Sequence, residues 1–200
     1  TLRKQIIHND ANDWNILINN QEISGIIDFG DLAYTFLINE LAVAIPYICF
    51  NKENPLELAS LMVKSYHTKL PLEEKEIKVL YYLIAARLLI SVCNSAHSKL
   101  NNPENTYASI SEKSAWKLLH HWLTINPIEA ENHFRLAINI TPLKFESTKE
   151  LVQRRHKYIS PILSLSYDQP IHMVGSAFQY MYTSDGTTIL DAYNNIPHVG

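Results

Sequence analysis

The stretch Ile6-Ile7-His8-Asn9-Asp10-Ala11-Asn12-Asp13-Trp14-Asn15-Ile16-Leu17-Ile18-Asn19-Asn20-Gln21-Glu22-Ile23-Ser24-Gly25-Ile26-Ile27-Asp28-Phe29-Gly30-Asp31 decides how the chain is read. Two apolar runs, Ile16 to Ile18 and Ile23 to Ile27, flank the polar turn Asn19-Asn20-Gln21-Glu22 and predict a short β-hairpin. Asp10 and Asn15 lie in the polar loop before the first strand, and Asp28 follows the second. A hairpin returns its second strand to the end where the first began, so the three side chains can converge. A carboxylate to orient an attacking hydroxyl and two oxygen ligands for a hard cation are the parts of Mg²⁺-dependent phosphoryl transfer. The competing reading is that such residues only form turns by bonding their own backbone, and Asp13, Asn19 and Asn20 fit it.

The pattern His8-x-Asp10-x-x-x-x-Asn15 followed by Ile27-Asp28-Phe29-Gly30-Asp31 resembles the catalytic and metal loops of the aminoglycoside-phosphotransferase and choline-kinase group of kinase-like enzymes. The resemblance implies that Asp10 is the catalytic base and that Asn15 and Asp28 are the metal ligands. It also implies that His8 braces the loop without doing chemistry. Asn9 stands where the family usually has a small or acidic residue. Glu40 resembles a carboxylate that helps to hold the catalytic loop in related kinases; the alternative, a surface acid on a helix, stays open. The run Asn39-Glu40-Leu41-Ala42-Val43-Ala44-Ile45 is most similar to the hydroxylysine-kinase-like members.

At 200 residues and 46% hydrophobic content the chain can bury one good core and the start of another. A net charge of −3 argues against nucleic acid as a general partner, and there is no basic run to suit a membrane surface. Cys49 and Cys93 lie in apolar runs without CxxC spacing and are expected to be reduced, buried thiols of a cytoplasmic protein. His120 and His121 diverge on a helix and the other histidines lack ligand spacing, which disfavours zinc. Thr1 begins close to the catalytic loop, before any Gly-rich loop or strand-borne Lys. In the kinase-like family that nucleotide clamp belongs to a preceding N-terminal lobe. The 200 residues are therefore expected to be a fragment, and inactive alone.

After the hairpin, Ala33 to Phe50 reads as a buried helix. Asn54-Pro55-Leu56-Glu57 and Asn126-Pro127-Ile128-Glu129 both read as Asn-capped helix starts with Pro in the first position, running to about Tyr66 and Ile140. Pro71 is expected to open a helix with Glu73 and Glu74 in its first turn. Its apolar run from Val79 to Cys93 is too short for a membrane span and suits a central core helix. Arg87 interrupts that run and must reach an edge or pair with an acid. Asn102-Pro103-Glu104 reads as a turn and Tyr107 to Leu123 as an amphipathic helix, whose Trp116 and Trp122 either pack the core or line a cationic pocket.

The composition shifts at Thr141-Pro142. Ser147-Thr148-Lys149-Glu150 is a capping box opening a short helix. Extended runs follow at Ile162 to Tyr167 and Phe178 to Tyr182, with a hairpin expected over Tyr180 to Asp191 around Ser184-Asp185-Gly186. Arg154 to Gly200, and above all Leu190-Asp191-Ala192-Tyr193-Asn194-Asn195-Ile196-Pro197-His198-Val199-Gly200, resembles the N-terminal segment of class III PLP-dependent aminotransferase-fold enzymes, in the amino-alcohol phosphate phospho-lyase branch. Asn194, Asn195 and His198 would lie near the PLP pocket or simply close a turn.

The expected fold class is thus α+β: residues 1–141 as the mostly helical C-terminal lobe of a protein-kinase-like fold with one β-hairpin, and 142–200 as a linker and the start of a PLP-dependent transferase fold. The resemblances together imply a bifunctional enzyme. Its kinase part would use ATP and Mg²⁺ to phosphorylate a small amino-alcohol of the ethanolamine or hydroxylysine class. Its PLP part, largely downstream, would eliminate the phosphate and form a homodimer. Two alternatives remain: a non-catalytic kinase-like binding module on a PLP enzyme, which the retained Asp10, Asn15 and Asp28 weigh against, and ordinary transamination beside an unrelated kinase.

Overall fold

The computed structural model describes residues 1–101, 112–160, 162, 163, 165 and 168–191. The chain divides into two compact units, Thr1–Pro142 and Leu143–Gly200.

In the first unit, β1 (Lys4–Ile7), β2 (Ile16–Asn19) and β3 (Glu22–Ile26) precede a 3₁₀ turn at Phe29–Asp31 and β4 (Ala33–Phe36). β2 and β3 form the expected hairpin, from Ile16 opposite Ile26 to Asn19 opposite Glu22, with a bulge that leaves Ser24 unpaired. Asn20 and Gln21 both adopt positive φ, 49° and 67°, as a tight two-residue turn between twisted strands requires. A second ladder, which the local sequence does not announce, pairs β1 antiparallel with β4, Lys4 opposite Phe36 and Ile7 opposite Ala33. This corrects the expectation of one hairpin. The expected helix over Ala33–Phe50 accordingly divides, because Tyr34, Thr35 and Phe36 suit a pleated strand once β1 offers a partner. Only Asn39–Cys49 is helical.

The helices are α1 (Asn39–Cys49), α2 (Pro55–Lys69), α3 (Glu74–Asn101), α4 (Glu112–Thr124) and α5 (Pro127–Ala137). Their core holds Leu41 and Ile45 of α1, Val63 of α2, Leu118 and Trp122 of α4 and Phe134 of α5. Through the middle runs α3, whose buried Ile77, Leu80, Tyr81, Ile84, Ala85, Leu88 and Val92 recur at three- and four-residue steps along one face. It is long and apolar enough to cross a membrane by length and composition, but that face is spent on α1, α4 and α5. The helix begins at Glu74 rather than at Pro71, and Glu73 caps it instead of lying in its first turn: the Glu73 carbonyl accepts from Glu76 N at 2.9 Å. It also outruns the apolar stretch, ending at Asn101. Of the two Asn-Pro starts, Asn126 caps α5 by accepting from Ile128 N at 2.9 Å, whereas Asn54 makes no side-chain cap.

Two side chains, Cys93 and Trp116, fall on other faces than expected. Cys93 is exposed, one step around α3 from buried Val92, while Cys49 is buried and its thiol pushed up to about 12 by desolvation. Trp122 is enclosed, stacking on Tyr81 and donating Nε1–H to the Tyr81 carbonyl at 3.1 Å. Trp116, by contrast, is exposed and stacks on His120. The expected turn at 102–104 and the start of the Tyr107 helix lie outside the described residues.

In the second unit, α6 (Thr148–Tyr158) opens on the expected capping box, Ser147 and Glu150 bonding each other's backbone. The hairpin over Tyr180–Asp191 is joined by a third strand, giving the order β5 (Met173–Ala177), β6 (Tyr180–Thr183), β7 (Thr188–Leu190). At its turn Gly186 adopts φ 89°, and Thr187 N donates to the Asp185 carboxylate at 3.1 Å. Ile162, Leu163 and Leu165 are not in a strand; the rest of that run, and Asn194, Asn195 and His198, lie outside the described residues. Among the described residues of this unit only Tyr182 and Thr183 are buried. Hydrogen exchange should therefore be orders of magnitude faster for Met173–Leu190 amides than for those of Ile77–Val92, since local opening tracks buried apolar contact. Equal protection would contradict this.

Candidate active site

The two ladders of the first unit hold the site's two loops at both ends. Ile7 pairs with Ala33 where residues 8–15 begin and residues 27–32 end, and Ile16 pairs with Ile26 where the first loop ends and the second begins. The loops are thereby laid side by side by backbone pairing alone.

Within the first loop Asn12 is the organiser. Its Oδ1 accepts from Trp14 N at 2.8 Å and Asn15 N at 3.2 Å, while its Nδ2 donates to Asp10 Oδ2 at 3.0 Å. Asn15 Nδ2 donates to the same Asp10 oxygen at 3.0 Å and to the Asp10 carbonyl at 2.9 Å. Asp10 and Asn15 are thus in direct contact. Asn15 is buried, its amide nitrogen faces Asp10, and its amide oxygen stays free of these bonds. Sequence reasoning passed over Asn12, though an Asn two residues after an Asp in a tight loop is a usual side-chain-to-backbone bridge.

Asp28 is brought in through its neighbour. Ile27 N donates to the Asn15 carbonyl at 3.0 Å, and the Ile27 carbonyl accepts from His8 Nε2 at 2.9 Å. Because a carbonyl only accepts, His8 carries its hydrogen on Nε2. The ring also lies 5.1 Å from that of Phe29, so His8 ties the first loop to both sides of Asp28. Asp28 has φ 61°, ψ 69°, a left-handed conformation that Asp tolerates better than most residues. Its side chain is exposed and makes no cap bond. Gly30 leaves room beside it: a Cβ there would come 3.4 Å from Asp28 Oδ1. Glu40, in the first turn of α1, accepts from Asn9 N at 3.3 Å. Asn9 has φ 63°, which an Asn at this position accommodates.

The largest omission of the sequence reading is Arg87, from the middle of α3. Its Nη2 lies 3.2 Å from Asp10 Oδ1 and donates to the Tyr47 hydroxyl of α1 at 3.2 Å. The sequence leaves this cation either an edge or an acid, and gives no sign that the acid is Asp10.

A hard cation finds suitable donors here: an uncommitted carboxylate on Asp28 and an oriented amide oxygen on Asn15. Among the described residues no group of three His, Cys, Asp or Glu side chains forms a closed cage. Mg²⁺ is commonly bound in this way, by one or two protein oxygens with substrate phosphates and water completing the shell.

Residues 1–74 match the family described as the phosphotransferase enzyme family. The chain is similar to the hydroxylysine kinase of Mus musculus, 32% identical over 127 residues that make up 58% of this chain and 34% of the relative. It is equally similar to that of Xenopus laevis, 32% over 128 residues, 58% and 34%. To that of Danio rerio it is 30% identical over 138 residues, 66% and 39%. The chain thus spans 34–39% of the length of these curated relatives. No solved structure matches it.

Proposed function

We propose that the protein transfers the γ-phosphoryl group of Mg²⁺–ATP to the hydroxyl of a small amino-alcohol, with hydroxylysine the favoured acceptor and ethanolamine the simpler candidate of the same class. The observation that carries this reading is the pairing of Asp10 with Asn15 across the catalytic loop, beside the loop that bears Asp28. The match of residues 1–74 to a phosphotransferase family and the printed names of the relatives support it.

In this reading Asp10 accepts the proton of the acceptor hydroxyl as its oxygen bonds to the γ-phosphorus. The bond from that phosphorus to the β,γ-bridging oxygen breaks and ADP leaves. Asn15 and Asp28 would hold the metal ion, which neutralises charge on the phosphates. His8 and Glu40 keep the loops in place through Ile27 and Asn9. Two free thiols, Cys49 and Cys93, suit the cytoplasm, where we place the protein.

The test is ATP-dependent phosphorylation by the full-length protein, followed by ³¹P NMR with 5-hydroxylysine, ethanolamine and lysine. A phosphomonoester should form with hydroxylysine and not with lysine, which lacks the acceptor oxygen. ATP turnover that is the same with lysine as with hydroxylysine would overturn the proposal.

For residues 142–200 we propose the start of a class III PLP-dependent domain acting as phospho-lyase on the phosphorylated product, and dimeric through its downstream body. The sequence resemblance supports this without help from the cofactor's chemistry. A concavity of about 470 Å³ beside α6 is lined by Leu151, Val152 and Tyr158, with Arg154, Arg155 and His172 as its basic side chains. Its lining has no lysine to form an imine with PLP, so this concavity does not fit the cofactor, and no step is assigned to it.

A further inference from the structure

We propose that Arg87 is a positioning residue of this phosphotransfer, setting the orientation of the Asp10 carboxylate; the inference rests on the reading of Asp10 as the base. The two Asp10 oxygens are held differently. Oδ2 is committed to its own loop, accepting from Asn12 and Asn15. Oδ1 is bonded by Arg87 alone among the described residues. It is therefore the oxygen with a lone pair to spare for an incoming hydroxyl, and Arg87 fixes the direction in which that lone pair points.

The arginine is itself fixed. Both hydrogens of Nη2 are used, one on Asp10 and one on the Tyr47 hydroxyl, so the plane of the fork is set by α1 as well as by the base. A core-edge cation would turn its head to water. Arg87 instead keeps its side chain three-quarters covered, at 25% exposure, and leaves Nε buried without a hydrogen-bond partner. An aliphatic residue would pack the same helix face without that unsatisfied donor. A buried donor left unpaired is a cost the fold does not need, and the return for it is at Asp10. The groups that bond the carboxylate make the arrangement directional: Arg87 faces it from α3, itself anchored by Tyr47 of α1, and Asn12 and Asn15 face it from its own loop.

The experiment uses the full-length protein and hydroxylysine, with Arg87→Met, Arg87→Lys and Tyr47→Phe beside wild type and Asp10→Asn. Arg87→Met should lower kcat by about 10²-fold, the scale of a misdirected reacting group, while KM for ATP stays within about twofold because no nucleotide contact is removed. Arg87→Lys should recover part of kcat, since it restores a donor and a charge but not the planar fork. Tyr47→Phe, which removes only a hydroxyl, should lose kcat several-fold and keeps the test open should Arg87→Met not fold. Thermal melts establish which variants are folded. If wild type is active and Asp10→Asn is dead, but folded Arg87→Met and Tyr47→Phe keep wild-type kcat, Arg87 is a structural cation and the inference falls alone. If wild type phosphorylates no amino-alcohol, the functional reading falls and takes the inference with it.

Discussion

Asp10→Asn in the full-length protein should abolish phosphotransfer, a loss of about 10²–10⁴-fold in kcat, while leaving the affinity for Mg²⁺–ATP nearly intact. The substituted amide cannot take the hydroxyl proton. It also cannot reproduce the present bonding, because both carboxylate oxygens accept from donors: Oδ2 from Asn12 and Asn15, Oδ1 from Arg87. Whichever way the amide turns, its NH₂ faces another donor. Asp28→Ala should behave differently. It removes an exposed carboxylate that makes no cap bond, so the fold loses little beyond the roughly 1 kcal/mol that alanine costs in the left-handed conformation of residue 28. Nucleotide–metal affinity should fall by at least the roughly 10–100-fold that follows loss of an outer-shell partner. Titration of both variants with Mg²⁺–ATP separates the roles; an equal loss of affinity in the two would show that they are misassigned.

What the sequence disclosed about this site was its local part. Ile16 to Ile27 reads as a hairpin because the apolar runs and the turn are contiguous, and the hairpin formed. The β1–β4 ladder was hidden because Lys4–Ile7 and Ala33–Phe36 find each other across the whole site, and neither segment alone carries a turn signal. The two Asn-Pro helix starts show how backbone decides what letters cannot. Asn126, with φ −64° and ψ 122°, caps its helix, whereas Asn54, with φ −115° and ψ 70°, does not. Cys93 and Trp116 were misjudged because a mostly apolar helix has no obvious outer face until its neighbours are placed. Arg87 belongs to the same class. A cation inside an apolar run needs an edge or an anion, but the partner it finds lies 77 residues away in sequence, and only packing α3 against the loop of Asp10 selects it.

The same helix carries the second large expected effect. Arg3, just before β1, grips Glu76 of α3 with two hydrogen bonds, Nε to Oε1 at 3.0 Å and Nη2 to Oε2 at 2.6 Å, and also donates to the Pro71 carbonyl at 2.8 Å. Glu76 is fully buried, and among the described residues its one other hydrogen-bond donor is Glu73 N at 2.8 Å. The bond to Glu76, against a smaller opposing effect of burial, raises the Arg3 pKa above its already high value. Arg3→Met would leave a buried carboxylate short of its main partner. Breaking such a pair from one side costs about 3–5 kcal/mol, and the partial exposure of Arg3, 33%, sets the expectation near the lower end. For a folded unit of roughly 150–250 residues, about 3 kcal/mol corresponds to a fall in Tm of roughly 6–12 °C. Replacing both partners, Arg3→Met with Glu76→Leu, should recover most of the loss, because the penalty comes from the stranded charge and not from the missing bridge. Calorimetry on the wild type, the single variant and the double variant separates the cases. If the single variant melts within a degree or two of wild type, water reaches Glu76 through Arg3 and the pair behaves as a surface bridge. If it melts far lower and the double variant does not recover, the bridge itself fastens β1 to α3, the elements that lead into Asp10 and carry Arg87.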